Sequence, residues 1–225
     1  MLASANATAL LGLEARPVRV EVSCDRGPPQ FEMVGLAEAS VRESRVRINA
    51  ALAQMGILLG EHRIAVNLAP ADLKKTGTAF DLAIAAATLA AIGQMPQSCL
   101  EGTLLIGELS LSGALRPVRG VLPQLMGARR LGIDRAIVPR LNANEAGVVA
   151  GMDVRIADCL GDVCQHLAGE ADLTAAKTSP PPDAPLTWLD LSEVRGQHAG
   201  RRAGARRCSP AGCRRSCLRS TSRRR

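Results

Sequence analysis

The strongest constraint on the fold of this chain is a helix of small apolar residues that follows directly on a strand and a glycine-containing turn. Residues 62–67 have alternating apolar side chains at Ile64 and Val66, the pattern of a half-buried strand. Residues 82–92 are nearly all small and apolar, which lets a helix approach a sheet closely. Gly93 and Pro96 end this helix. The run therefore predicts a helix packed on a sheet.

Strands and helices alternate through the rest of residues 1–168. The predicted strands are at residues 7–13, 18–23, 30–34, 62–67, 103–110, 114–116, 136–138 and 154–156. The predicted helices are at residues 40–55, 82–92, 121–131, around 144 and 160–167. This alternation predicts one α/β domain of two or three layers that ends near residue 168.

The positive charge of the chain is concentrated at one end. The 225 residues hold 28 Lys and Arg against 21 Asp and Glu, a net charge of +7. Residues 195–225 contain 11 of the basic residues and no acidic residue, so residues 1–194 hold 17 basic and 21 acidic side chains, a net charge of −4. The overall charge is therefore no argument for nucleic-acid binding by the body of the protein.

Other features of composition exclude several classes of site. Phe31, Phe80 and Trp188 are the only aromatic residues, too few for a surface on which bases stack. No stretch approaches the roughly 18 apolar residues of a membrane span, so we expect a cytoplasmic protein with no membrane partner. The scattered cysteines indicate reduced thiols, and the spacing of Cys159, Cys164 and His166 gives only a weak zinc motif. We expect no metal site.

The turn before the small-residue helix carries a long motif. Its sequence is Asn67-Leu-Ala-Pro-Ala-Asp-Leu-Lys-Lys-Thr-Gly-Thr-Ala-Phe-Asp81-Leu. This resembles the N-L-A-P-A-D-L-x-K-x-G-x-x-x-D-L signature in the amino-terminal domain of magnesium-chelatase-like AAA+ ATPases of the ComM/YifB type. We call residues 67–82 the signature turn. The signature residues of this chain are Asn67, Pro70, Asp72, Lys75, Gly77 and Asp81.

A second segment, Ile106-Gly-Glu-Leu-Ser-Leu-Ser-Gly-Ala-Leu-Arg-Pro-Val-Arg-Gly120, is similar to the segment of Lon that leads to its catalytic lysine. The two resemblances imply a layered fold like ribosomal S5 domain 2 and the Lon proteolytic domain. By position, the nucleophilic serine of Lon corresponds to Ala79 and its lysine to Leu122. Neither side chain can act as nucleophile or base, so we expect no catalytic residue here. A residual Ser/Lys peptidase is the least favoured alternative.

Two interpretations apply to the polar residues of this region. Asp81 either guards a site or caps the helix, and we favour the cap, with Asp72 ordering the turn. We interpret Gly77 as a residue at positive φ. A basic surface for a nucleic-acid backbone would use Arg42, Arg45, Lys74 and Lys75, with Arg47 and Arg63 beside them. The favoured alternative is a solvated helix face on which Arg42, Arg45 and Arg47 all point to water.

The remaining residues predict a linker and a tail. Residues 169–187 are rich in proline, and residues 188–199 resemble the start of the family's AAA+ module. Residues 200–225 predict a disordered basic tail. We favour the interpretation that this tail is translated out of frame. The alternatives are a genuine arm that binds nucleic acid and a metal site at Cys208, Cys213 and Cys217. The chain contains no G-x-x-x-x-G-K-[ST] loop, so we expect it to bind no ATP.

These observations define the expected function. The chain is expected to be the non-catalytic amino-terminal domain of a truncated ComM/YifB-type ATPase. The resemblance implies that the intact protein is a homo-oligomeric, ATP- and Mg²⁺-dependent DNA helicase or branch-migration factor in recombination and natural transformation. The main alternative is a stand-alone nucleic-acid-binding module that uses the basic tail.

Overall fold

A computed structural model of the chain describes residues 1–35, 38–71, 73, 75 and 78–177, without the side chains of residues 38 and 39. Three residues of the predicted sites, Asp72, Lys74 and Gly77, lie outside the described residues. So do most of the predicted linker, from residue 178 onwards, the predicted AAA+ start and the predicted tail.

A long hairpin forms the middle of the fold. Strand β1 (Leu2–Leu11) runs antiparallel to β2 (Glu14–Arg26), in a register that places Leu2 opposite Ser23 and Leu11 opposite Glu14. Alternate residues are buried over part of each strand, at Ala3, Ala5, Ala7 and Ala9 along β1 and from Val18 to Cys24 along β2. Gly12 in the two-residue turn has φ of +64°, which glycine adopts without a steric penalty. The predicted hairpin is confirmed, but the first strand begins and ends earlier than predicted, so that residues 12 and 13 form the turn.

The hairpin belongs to a mixed eight-stranded sheet. The other strands of this sheet are β3 (Gln30–Val34), β4 (His62–Ala69), β5 (Thr103–Leu105), β8 (Arg135–Pro139), β9 (Asp153–Ala157) and β10 (Thr174–Ala175). Their order is β10-β9-β8-β5-β1-β2-β4-β3, and four of the seven pairings in the described residues are parallel. A separate two-stranded sheet pairs β6 (Glu108–Leu109) with β7 (Leu115–Arg116).

Helices cover both faces of the large sheet. They are α1 (Glu38–Gln54), α2 (Asp81–Ala91), α3 (Val121–Arg130), α4 (Ala143–Ala146) and α5 (Leu160–Leu167). Adjacent residues of one strand belong to different cores: Leu105 is part of the core that includes residues of α1, α2 and α5, whereas Leu104 is part of the core that includes residues of α3 and α4. Since neighbouring side chains of a strand point to opposite faces, the domain has three layers with a core on each side of the sheet. The predicted α/β class is confirmed.

The small-residue helix is the most deeply buried element of the described chain. All residues of α2 are buried, and the helix packs on β1 and β2. Alanines on both contacting surfaces allow this close packing. The helix predicted from the sequence is therefore confirmed, one residue longer at its start and one shorter at its end.

Two predicted boundaries were wrong. The strand predicted at residues 103–110 is divided, because β5 pairs in the large sheet, the Gly107 amide donates to the Ala79 carbonyl at 3.0 Å, and β6 pairs with β7 in the second sheet. The folded body also continues past residue 168, since Thr174–Ala175 pair with β9. A two-residue edge strand has no sequence pattern of its own, which is why the sequence placed it in the linker. No helix of the described residues is both long and apolar enough to cross a bilayer.

Candidate functional site

The signature turn joins β4 to α2, and its described residues are held by polar contacts close to the turn. Asn67 is exposed on β4 and donates from Nδ2 to Glu21 Oε2 at 3.0 Å. Pro70 is exposed, and its carbonyl accepts a hydrogen bond from Lys75 Nζ. Lys75 Nζ also donates to the Leu73 carbonyl at 3.2 Å.

Lys75 therefore stabilises its own turn. Its side chain is buried, with 2% of the residue exposed. A buried ammonium needs several acceptors, which the two backbone carbonyls provide. The prediction that Lys75 contacts a nucleic-acid backbone does not fit this position.

Asp81 is the centre of a buried polar cluster and does not cap α2. It is fully buried at the first position of the helix, which begins after Phe80 without a side-chain cap. Asp81 Oδ1 accepts from Ser44 Oγ at 2.7 Å, and Oδ2 accepts from Arg47 Nε at 2.6 Å. The Leu109 amide donates to Oδ2 at 3.3 Å. The favoured capping interpretation was wrong, because the carboxylate binds α1 and β6 instead of the free amides of its own helix.

Arg47 is the second correction. The sequence predicted that it points to water with Arg42 and Arg45, but only 15% of its side chain is exposed and it forms an ion pair with Asp81. Its Nη2 also donates to Asp81 Oδ1 at 3.3 Å. Arg42 and Arg45 are exposed on the same helix, as predicted. Of the four predicted nucleic-acid contacts, these two are placed on the surface.

The electrostatics of the cluster follow from its burial. Desolvation raises the pKa of the Asp81 carboxyl, and the hydrogen bonds from Arg47, Ser44 and Leu109 oppose that rise. Burial alone would lower the pKa of the Arg47 guanidinium, but the hydrogen bond and charge of Asp81 outweigh it and the pKa of Arg47 is raised. Arg47 is therefore a fixed cation beside Asp81. The cluster ties α1, α2 and β6 together at the end of the signature turn.

A cleft of about 380 Å³ opens beside this cluster. Its walls come from β1, the signature turn, β6, the loop before α3 and α3 itself. We call it the β1 cleft, and its lining residues are Thr8, Ala9, Leu10, Thr78, Ala79, Phe80, Glu108, Pro117, Val118, Arg119 and Gln124.

The positions that correspond to the Lon dyad lie in or near this cleft. Ala79 lines the cleft, whereas Leu122 packs against the core beneath α3. The hydroxyls in the cleft walls are both engaged: Thr8 Oγ1 donates to Gln124 Oε1 at 2.9 Å, and Thr78 Oγ1 donates to the Glu108 carboxylate. The arrangement has the shape of a binding cleft, with a methyl group where the resemblance places a nucleophile.

Sequence reasoning found Asp81, assigned Arg47 to the solvent-exposed face of α1, and missed Ser44 and Glu108. One signal was present, because Ser44 lies four residues before the buried Ile48 and so falls within the apolar stripe of α1. Within the described residues, no group of three or more His, Cys, Asp and Glu could hold a metal ion. Cys159 instead accepts from the Asp162 amide at the start of α5.

The fold and the site define a three-layered mixed α/β domain whose central helix begins at a buried carboxylate beside a cleft. Residues 20–142 match the family described as ChlI, subunit ChlI of Mg-chelatase. The chain belongs to this family. The resemblance inferred from the signature turn is thereby confirmed.

The relatives agree with this assignment. The chain is 42% identical over 196 residues to the uncharacterized protein YifB of Escherichia coli, covering 86% of this chain and 38% of YifB. It is 38% identical over 206 residues to the competence protein ComM of Haemophilus influenzae, covering 90% of this chain and 40% of ComM. The chain thus spans about two fifths of the length of these relatives.

Two more distant relatives have other names. Lon protease 2 of Bacillus subtilis is 27% identical over 150 residues, covering 61% of this chain and 26% of that protein. The DNA repair protein RadA of Brucella abortus is 30% identical over 141 residues, covering 60% of this chain and 29% of RadA.

Proposed function

We propose that the described residues form the non-catalytic amino-terminal domain of a ComM/YifB-type AAA+ ATPase, with a fold like ribosomal S5 domain 2 and the Lon proteolytic domain. The observation that carries this proposal is Ala79 in the wall of the β1 cleft. Peptide hydrolysis by a serine or cysteine at residue 79 needs a nucleophilic side chain, and the methyl group of alanine is not one. The similarity to Lon protease 2 supports the fold.

The whole protein would act on DNA. The names of two relatives, competence protein ComM and DNA repair protein RadA, support an ATP-dependent helicase or branch-migration role in recombination and natural transformation. We assign ATP and Mg²⁺ to the AAA+ module of the whole, homo-oligomeric, cytoplasmic protein, because residues 1–225 contain no G-x-x-x-x-G-K-[ST] loop. In this proposal the amino-terminal domain has a binding or assembly role.

A hydrolysis assay tests the non-catalytic assignment. The full chain is incubated with fluorescein-labelled casein between pH 6 and 9, beside the variants Ala79→Ser and Ala79→Ser/Leu122→Lys. We expect the natural chain to release no fluorescent peptide. Hydrolysis by the natural chain at a rate above that of a protein-free control would show that a nucleophile other than residue 79 is at work and would overturn the proposal.

The second candidate function is nucleic-acid binding through residues 195–225, favoured by their 11 basic and no acidic residues. Anisotropy of a labelled DNA duplex compares the full chain with a variant that ends at Pro185, each at low and physiological salt. Binding by counterion release should weaken steeply with salt and vanish in the shorter variant. Salt-resistant binding by the shorter variant that is lost in Arg42→Ala/Arg45→Ala would instead place the DNA contact on α1.

A further inference from the structure

Another cavity, of about 250 Å³, lies where the parallel strands β5, β8 and β9 begin. The register places Thr103 of β5 beside Arg135 of β8. It also places Ile137 of β8 beside Arg155 of β9. Because Ile137 belongs to the core that includes residues of α2 and α5, these side chains lie on that face of the sheet. We call the cavity the α5 pocket, and its lining includes Thr103, Arg135, Asp153, Arg155 and His166.

Arg135 is a cation of this pocket without a carboxylate partner among the described residues. Its side chain uses one of its five N–H donors there, from Nη2 to the Glu101 carbonyl at 2.7 Å. Arg155, in contrast, donates from Nε and Nη2 to the Asp153 carboxylate at 2.7 and 3.3 Å. Two guanidiniums and one carboxylate line the pocket, so these groups leave it with a net positive charge.

Two further donors line the α5 pocket. Thr103 is 4% exposed, and within the described residues its hydroxyl makes no hydrogen bond, so that it is left to a group that enters the pocket. His166 forms hydrogen bonds through Nδ1, to which the Leu173 amide donates at 3.3 Å. A ring that accepts at Nδ1 carries its proton on Nε2, which has no partner in this part of the chain.

We propose that the α5 pocket binds the terminal phosphate of a small molecule. The Arg135 guanidinium supplies the positive charge and paired N–H donors, which suit phosphate oxygens. The Thr103 hydroxyl and His166 Nε2 donate to the oxygens that the guanidinium does not reach. Binding at this pocket does not depend on the role of the domain in the whole ATPase.

The volume of the pocket and the number of its donors select this class of ligand. Pockets for drug-sized ligands measure roughly 300–1,000 Å³, so the α5 pocket suits a smaller molecule. A planar carboxylate has two oxygens, which one guanidinium satisfies, and it would leave the Thr103 hydroxyl and His166 Nε2 unpaired. A terminal phosphate has a third oxygen to accept from them.

Binding is measured by amide chemical shifts of the ¹⁵N-labelled full chain, titrated with inorganic phosphate at constant ionic strength. Phosphate should shift the amides of Thr103, Arg135 and Arg155, and the shifts should saturate. Arg135→Gln should weaken binding by about tenfold or more, because it removes the charged donor. Arg63→Gln is the matched control, since Arg63 is exposed on β4 and lies outside the pocket. Both variants keep residues 195–225, so non-specific attraction of phosphate to those basic residues affects them equally.

Thr103→Val tests the hydroxyl separately. It should weaken phosphate binding by about threefold to tenfold without lowering the Tm, because no hydrogen bond within the described residues is lost. Acetate, titrated in the same way, represents carboxylates and should bind more weakly than phosphate. The titration of the natural chain locates the site even if a variant fails to fold. The proposal is overturned if the shifts do not saturate or lie away from the pocket, if both arginine variants bind phosphate equally, or if acetate binds as tightly as phosphate.

Discussion

The contact between Asp81 and Arg47 shows that the role of Asp81 cannot be inferred from its position at the start of a helix. A carboxylate at the start of a helix ordinarily favours the free amides of the first turn. Here the Leu82 amide is already bonded to the Gly107 carbonyl at 3.1 Å, so Asp81 is available to α1. The signature aspartate therefore connects three elements and is part of the architecture of the turn.

Replacement of Asp81 should test that role. Asp81→Ala removes the buried acceptor of the Arg47 guanidinium, the Ser44 hydroxyl and the Leu109 amide. Arg47 then keeps only Ser44 Oγ at 3.1 Å and the exposed Glu43 carboxylate at 3.7 Å, and we expect a loss of about 3 kcal/mol in the free energy of unfolding. Urea denaturation followed by circular dichroism measures it.

The matched control is Asp158→Ala. Asp158 also binds an arginine with both oxygens, at 2.7 and 2.8 Å from Arg140 Nε, but its side chain is 57% exposed. An exposed pair of this kind contributes less than about 1 kcal/mol. Equal losses in the two variants would mean that burial of the Asp81 pair has no structural consequence.

Burial also governs the reactivity of Cys164. Desolvation, and to a smaller extent the neighbouring Cys159, raise the pKa of the Cys164 thiol to about 12. At pH 8 its thiolate fraction is on the order of one in ten thousand, and only the thiolate reacts with iodoacetamide.

We therefore expect Cys164 to remain unmodified in the native chain and to be alkylated once urea has unfolded it. Raising the pH toward 12 should increase native alkylation, because the thiol then ionises. Mass spectrometry of the Cys164 peptide gives the result, and labelling at pH 8 at the same rate with and without urea would contradict it.

At the scale of single elements, the sequence predicted the strands and helices whose residue pattern lies within the element itself. The alternation in β2 and β4 and the small residues of α2 each determine their own structure. The partners of Asp81 could not be predicted in this way, because Ser44 and Arg47 lie 37 and 34 residues away in the chain. The division of the strand at Gly107 depends likewise on a distant partner, because the Gly107 amide donates to the Ala79 carbonyl, 28 residues earlier in the chain.

The contact of α3 with β2 yields an element-scale prediction. A β-carbon on Gly127 would lie 2.4 Å from Ala15 Cβ, so the helix can approach the strand only because residue 127 is glycine. Gly127→Ala gains up to about 1 kcal/mol in helix propensity but forces α3 away from β2, and we expect a net loss of about 1–2 kcal/mol in the free energy of unfolding.

Gly161→Ala in α5 is the comparison for this substitution. A β-carbon at residue 161 would make an ordinary contact of 3.7 Å with Cys159 Sγ. The same change should therefore leave stability unaltered or raise it by about 0.5 kcal/mol. Urea denaturation of both variants decides the matter, and stabilisation by Gly127→Ala would refute the close packing of α3 on β2.

At the scale of the whole molecule, the sequence predicted the class of fold and the family but not the order of the strands. The order β10-β9-β8-β5-β1-β2-β4-β3 depends on pairings between distant segments, of which β1 with β5 is an example. No residue in either strand specifies that neighbour. The β1 cleft results from this order, and so it was not found from the sequence.

The nucleotide prediction also belongs to this scale. The 225 residues contain no phosphate-binding loop, so titration calorimetry of the full chain with ATP and Mg²⁺ should show no heat of binding beyond dilution. Bovine serum albumin under the same conditions gives the baseline. Micromolar affinity for ATP would show that the chain binds phosphates through a site of another kind.

The two cores on either side of the sheet restrict how this protein can vary. In β8, Ala136, Ile137 and Val138 are consecutive and all are buried, with Ile137 in one core and its neighbours in the other. Most strands leave alternate positions open to polar substitution, but Ala136–Val138 of β8 leave none. If these three codons were randomised, the folded variants would carry small and medium aliphatic residues at every position. They would not show the alternation of apolar and polar residues, because water reaches neither side of the strand.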